Sequence, residues 1–323
     1  MKAIINYIGI DISKSYFDVA FYRTDRYVNS KFSNDLEGFK LLIKQLGDSK
    51  NFHLVMEASG PYYLHLAHFF YEHGFTISVV NPLVIRRFCQ MRLSRAKTDK
   101  KDAVMIAEYG QVEHPQAWVP APMHIDQLRQ MQAASDLLNK NKTNIERQVE
   151  AFKHGIITDP ELIHLLKKEV ERIEKKILFI EEKMQSIAEE YYPEMMKNLK
   201  SIPGIGKKTA LLLIVISNGF KKFSNAKQLS SYVGLSPRIF ESGTSVKGRS
   251  RITKMGMSRI RTMLYVCSWS AKKCNKTCKD LYDRLVAAGK SKRLALIAVA
   301  NKLLKQAFSI AINKRIFLPD YSK

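Results

Sequence analysis

Residues Tyr7–Asp18, YIGIDISKSYFD, decide how the chain is read. Ile8, Ile10 and Ile12 alternate with Tyr7, Gly9, Asp11 and Ser13, the period of a strand that buries one face. Asp11 falls inside that strand, where a carboxylate is costly unless something pairs with it. Taken singly it reads as a strand-end or turn residue. Glu57, Asp99 and Asp102 stand in segments able to face the same point, and the four together predict a metal-bound acidic cluster built on this strand.

Outward from this stretch, Phe17, Val19 and Phe21 predict a second strand and Tyr27–Phe32 a third. Asn34 with Glu37 forms a capping-box pattern opening a helix to about Leu46. A strand over Phe52–Ala58, a helix over Tyr62–His73, a strand over Phe75–Val80, and helices near Leu83–Leu93 and Asp99–Glu113 follow. The order βββ-α-β-α-β-α predicts a mixed sheet with helices on its faces, the layout of a ribonuclease-H-like fold. HPQAWVPAP, 114–122, reads as a linker. Leu166, Val170, Ile173, Ile177, Ile180, Met184 and Ile187 then keep a 4-3 spacing, and a looser series runs from Ile125 to Phe152. These predict a helical hairpin or coiled coil. From about Asn198 the chain is basic and mostly helical, interrupted by a Gly/Ser-rich loop between Leu235 and Ser250. The fold class expected is α/β plus α, with domains at 1–115, 116–195 and 196–323.

Residues 196–323 hold 27 Lys and Arg against 4 Asp and Glu, which is the whole net charge of +23; the remainder balances to zero. So one-signed a region points to a polyanion, with nucleic acid first. The basic residues are spread through several elements, which disfavours a membrane surface. The start lacks a signal-peptide layout and no run of about 18 apolar residues occurs, so a cytoplasmic protein with no membrane partner is expected. Four cysteines without a CxxC pair disfavour zinc and read as reduced thiols.

Three motifs carry chemistry. Glu57 ends an apolar strand, and Asp99 and Asp102 lie three apart in KTDKKDA at a helix start, on one face. Carboxylate oxygens without His or Cys suit magnesium, or manganese, and two such ions can polarise a phosphodiester. SIPGIGKKTA places Gly204 and Gly206 in a tight turn before Lys207 and Lys208, a turn that resembles the helix-hairpin-helix of DNA-binding proteins, whose backbone N–H groups grip phosphate. GLSPRIFESGTSVKGRSR gathers Ser242, Thr244 and Ser245 with Arg238, Lys247, Arg249 and Arg251. It reads either as a phosphate-contacting loop or as a nucleophile loop in which Ser242 attacks phosphorus. All eight histidines precede Leu165, so no local Ser-His-Asp arrangement serves Ser242 and a protease or esterase is disfavoured.

YIGIDISK, MEASGPY, KTDKKDA, SIPGIG and GLSPRIFESGTSVKG together resemble, in order, the motifs of the DEDD transposases of bacterial insertion sequences, the IS-one-ten family. The resemblance runs from Tyr7 to about Tyr282. It implies a first domain similar to the Holliday-junction resolvase RuvC, with Asp11, Glu57, Asp99 and Asp102 as magnesium-binding acids and Ser242 as nucleophile. It also implies a structured non-coding guide RNA that pairs with donor and target DNA. Homo-oligomers, dimer or tetramer, are expected to form through the coiled coil, with acidic and serine domains cooperating across subunits of a bacterial cytoplasmic recombinase. Ser59-Gly60 follows Glu57 where Thr-Gly is common in that family.

Three other readings stay open on the residues alone. One is a hydrolytic junction nuclease in which Ser242 only contacts phosphate. Another is a non-enzymatic nucleic-acid binder. A third is a sugar-kinase-like or actin-like ATPase suggested by GIDISK, though a coiled coil and a basic domain stand where its second half would be.

Overall fold

The computed structural model describes residues 6–23, 25–47, 51–93, 98–238, 241–242, 246–247, 251–253 and 255–319. The chain divides into two compact units, Met1–Pro120 and Ala121–Lys323.

The first unit is built on a five-stranded mixed sheet in the order β3-β2-β1-β4-β5. β1 (Asn6–Ile12) runs antiparallel to β2 (Tyr16–Arg23), and β2 antiparallel to β3 (Arg26–Ser33). On its other side β1 lies parallel to β4 (Phe52–Glu57), which lies parallel to β5 (Thr76–Val80). A tight turn, with Ser13 N donating to Tyr16 O at 2.8 Å, fixes the β1–β2 register at Ile12 opposite Phe17 and Asp11 opposite Asp18. Ile8, Ile10 and Ile12 pack with Phe17, Leu42 and Phe70 in a core beneath α1 (Leu36–Leu46) and α2 (Tyr63–Glu72). The opposite face is covered by α3 (Pro82–Met91) and α4 (Asp99–Glu113), whose Ile85 and Ile106 pack on Val55 and Val80.

The cap of α1 differs from the pattern read in the sequence. Asp35, not Asn34, is the N-cap; its carboxylate accepts from Gly38 N at 2.9 Å and from Ser33 Oγ at 2.7 Å. Asn34 instead donates through Nδ2 to Ser13 O (3.0 Å) and Tyr62 O (3.2 Å), and its own N–H donates to Ser15 O. A carboxylate and an amide cap about equally well. Only the amide carries donors for two loop carbonyls, which gives each residue its task.

In the second unit α5 (Met123–Lys153) and α6 (Pro160–Tyr191) form an antiparallel hairpin. Its pairing shows in Lys142 Nζ to Glu174 Oε1 at 2.5 Å and His124 Nε2 to Tyr192 Oη at 2.9 Å. Ile173, Ile177 and Met184 of the predicted seam are buried. Ile125, Leu128, Met184 and Ala188 at the hairpin's base share one core with α7 (Pro193–Lys200), α8 (Lys207–Ser217), α9 (Ala226–Val233), α10 (Ser258–Cys274) and α12 (Lys292–Asn313). α11 (Lys276–Ala287) adds Cys278. By length and composition α12 could cross a membrane, but Leu296, Val299, Leu303 and Ala307 are buried and place it inside this unit. The loop after Leu235, where described, is a narrow antiparallel ribbon. β6 (Pro237–Arg238) pairs with β9 (Arg251–Ile252), and β7 (Glu241–Ser242) with β8 (Val246–Lys247).

Candidate active site

Gly9 explains how the acids come to one end of the sheet. A Cβ there would stand 2.0 Å from Ala103 O and 2.3 Å from Ala107 N, so α4 rests its backbone directly on β1. Farther along, a Cβ on Gly110 would meet Tyr7 and Val55 at 2.8 Å. α4 therefore runs antiparallel to β1, and its first turn, bearing Asp99 and Asp102, lies toward Asp11. Thr98 caps that turn by accepting from Lys101 N. Tyr7, Gly9 and Asp11 share the α4 face, because successive side chains alternate. Glu57 follows Met56, the partner of Ile10, and so ends β4 beside Asp11. Ser59 Oγ donates to Glu57 Oε1 at 3.1 Å, so the hydroxyl after the glutamate holds it.

The acids act on one another electrostatically. Burial pushes the Asp11 carboxyl up to about 6, helped by the negative charges of Asp102, Asp99, Glu57 and Asp18 in that order. Asp18 is 5 % exposed and lies directly opposite Asp11. Burial raises its carboxyl as well, against the opposing pull of Lys31, whose Nζ is 3.9 Å away. Carboxylate oxygens from β1, β4 and α4 are the donor type that a hard divalent cation takes. As the side chains stand, no three His, Cys, Asp or Glu among the described residues converge enough to hold a metal ion.

The sequence reading missed Asp18, Ser59, Asn34 and Gly9 as parts of this region. Asp18 was legible in principle: a hairpin turn over Ser13–Tyr16 places residue 18 opposite residue 11.

The remaining predicted site residues lie in the second unit. Gly204 has φ +105°, and a Cβ there would press on Ala271 at 2.8 Å, so its glycine serves packing against α10. Gly206 is the N-cap of α8, with open space around it. Lys207 and Lys208 are exposed in that first turn, and Lys208 Nζ is 2.7 Å from Glu181 Oε2 of α6. Arg238, Ser242, Lys247 and Arg251 have described backbone in the ribbon. Their side chains, and Thr244, Ser245 and Arg249 altogether, lie outside the described residues.

Acids drawn toward one sheet end, in a chain whose residues 196–323 hold 27 Lys and Arg against 4 Asp and Glu, fit one class: enzymes that act on nucleic acid. A transposase model of the DEDD type matches residues 8–156, and a model described as transposase, IS116/IS110/IS902 family, matches 196–283. The chain is 31% identical to a pilin gene-inverting protein of Moraxella lacunata, over 96% of this chain and 97% of that one. It matches the pilin gene-inverting protein of Moraxella bovis at 31% with the same coverage. A putative transposase of Sinorhizobium fredii is 26% identical over 82% of this chain and 71% of its own. The chain belongs to the IS116/IS110/IS902 family of transposases, enzymes acting on DNA. DEDD-type transposase domains generally use divalent metals.

Proposed function

We propose that this chain is a recombinase that cuts and rejoins DNA through a phosphoserine intermediate, with an RNase-H-like acidic domain (1–115), a coiled coil (116–195) and a basic serine domain (196–323). What supports the reading is the β1–β4 register, which ends β4 at Glu57 beside Asp11, together with the close seating of α4 on β1 at Gly9, which turns the helix start with Asp99 and Asp102 toward the same sheet end. These four would hold magnesium or manganese. Bound there, such an ion would polarise the phosphodiester and offset charge on the attacking and leaving oxygens.

Ser242 Oγ attacks phosphorus and forms a phosphoserine ester while the sugar oxygen departs and takes up a proton. The serine proton passes to a carboxylate or to water, since no histidine lies beyond position 164. Arg238, Lys247, Arg249 and Arg251 balance charge developing on the phosphate. Gly204, Gly206, Lys207 and Lys208 grip the backbone without reading sequence. A sugar hydroxyl then attacks the phosphoserine, restoring Ser242 and remaking a diester without external energy. Inversion of a DNA segment, the act named in the Moraxella relatives, uses these same two steps. Following the family resemblance, a structured non-coding RNA pairs donor with target, and protomers associate as a dimer or tetramer in the bacterial cytoplasm.

The deciding experiment incubates purified protein with magnesium, DNA carrying its element ends and RNA transcribed from the flanks, then resolves the products on a denaturing gel. A protein–DNA adduct in wild type that is absent in Ser242→Ala supports the reading. Cleavage without adduct, equal in both proteins, overturns it in favour of a hydrolytic nuclease in which Ser242 only contacts phosphate.

A further inference from the structure

Resting on that reading, a second question is how an acidic site admits an anionic strand. Four carboxylates repel a phosphodiester, so cations must lie along the strand's path close by. The sheet register shows where. Asp11 pairs across β1–β2 with Asp18, and Asp18 pairs across β2–β3 with Lys31, so the three form one row on one face. Two residues along β2, Tyr16 pairs with Ser33 on that same face. Lys31 Nζ sits 5.1 Å from the Tyr16 ring centroid and 3.9 Å from the Asp18 carboxylate. Its side chain is nonetheless 54% exposed, and Tyr16 is 52% exposed. A lysine over an aromatic ring, held from beneath by a buried carboxylate, is positioned rather than trailing in solvent.

We propose that Lys31 and Tyr16 form a strand-binding flank of the acidic site. Lys31 contacts a phosphate near the scissile one, and the Tyr16 ring packs against a sugar or base of the same strand. Adjacent strands lie about 4.8 Å apart, so Lys31 sits two spacings, about 10 Å, from Asp11. Asp18 is a positioning residue: it sets the lysine and touches no substrate. Ionised carboxylates on one side and an ammonium on the other orient the strand across the β1–β2–β3 rows.

The test uses full-length protein in chelator, so that binding is measured without cleavage, with DNA carrying the element ends. The slope of log affinity against log salt should fall by about 0.7 to 0.9 in Lys31→Gln, the loss of one phosphate contact, and return in Lys31→Arg. In wild type, DNA substituted with 5-iodo-deoxyuridine should cross-link to the peptide containing Tyr16 under ultraviolet light. That readout stands even if Lys31→Gln fails to fold. An unchanged slope in folded Lys31→Gln, or absence of Tyr16 from the cross-linked peptides, overturns the proposal. Both readouts are independent of the phosphoserine adduct, so a failed adduct experiment leaves them decisive.

Discussion

Replacing Asp11 by asparagine should make the metal-free protein more stable while abolishing its chemistry. The Asp11 carboxyl is pushed from 3.8 to about 6, chiefly by burial and then by Asp102, Asp99 and Glu57. At about 1.36 kcal/mol per unit, keeping it ionised at neutral pH costs at most about 3 kcal/mol. The carboxylate is only partly buried, so solvent screening reduces this to about 1–2 kcal/mol. The sign follows from the raised value. The stability that the protonated form supplies is complete below 3.8 and is lost as pH rises through about 6. An asparagine side chain in its place would mimic the protonated form at every pH. The advantage of Asp11→Asn over wild type should therefore be near zero below about pH 4 and reach its full size above about pH 7. Urea unfolding in chelator reads this directly, followed by fluorescence of Trp118, which packs against the core of the first unit. Magnesium should then stabilise wild type more than the variant, since asparagine removes both a ligand and a charge. A variant no more stable than wild type near neutral pH, or an advantage unchanged down to about pH 4, would refute the shared-field argument.

Three further outcomes follow from the same contacts. Gly9→Ala forces a methyl group against Ala103 O and Ala107 N; it should destabilise by about 3 kcal/mol or more and lower cleavage by displacing the turn that bears Asp99 and Asp102, both read from unfolding curves and product yield. Ser59→Ala removes the hydrogen bond to Glu57 Oε1; half-maximal cleavage should need several-fold more magnesium, with full activity restored at saturation, whereas an unchanged magnesium titration would remove Ser59 from any role at the site. Among the thiols, exposed Cys274 should react with maleimide within the native protein, while Cys278, buried and with its thiol pushed up to about 11, should react only on unfolding, as peptide mapping would show.

What the sequence disclosed and what it concealed divides along physical lines. The strand carrying Asp11 was legible because isoleucines alternate over seven residues, and α4 was legible to its ends because an acidic first turn follows a threonine cap. The ribbon around Ser242 was not, since two-residue strands have no period to read. Asn34 and Asp35 are both good caps, and only the loop carbonyls of Ser13 and Tyr62, one of them nearly thirty residues away, decide between them. Likewise nothing local announces that Lys208 faces Glu181 across two helices. The candidate acids were legible as residue types in suggestive settings. Their common field came only with the register and with the close approach that Gly9 permits.

The site breaks a rule that the rest of the first unit keeps. Ile8, Ile10 and Ile12 are buried on the sheet's other face, whereas the α4 face ends in acids, where burial first and neighbouring carboxylates second raise the proton affinity of Asp11. Local conflict of this kind, maintained by a loop tie at Asn34, a hydroxyl at Ser59 and a cap at Thr98, is what a functional site looks like in energetic terms. It also implies a division of labour within the chain. Residues 1–195 are balanced in charge, and the whole +23 lies beyond them. Affinity for a polyanion scales with the phosphates neutralised, so on the proposed reading the distal basic region would supply most of the binding and the acidic end the chemistry. Neutralising Asp11 therefore removes repulsion from a surface that contributes little attraction. DNA affinity in chelator should be unchanged or slightly higher in Asp11→Asn, and a marked loss would mean that the acidic end itself grips DNA.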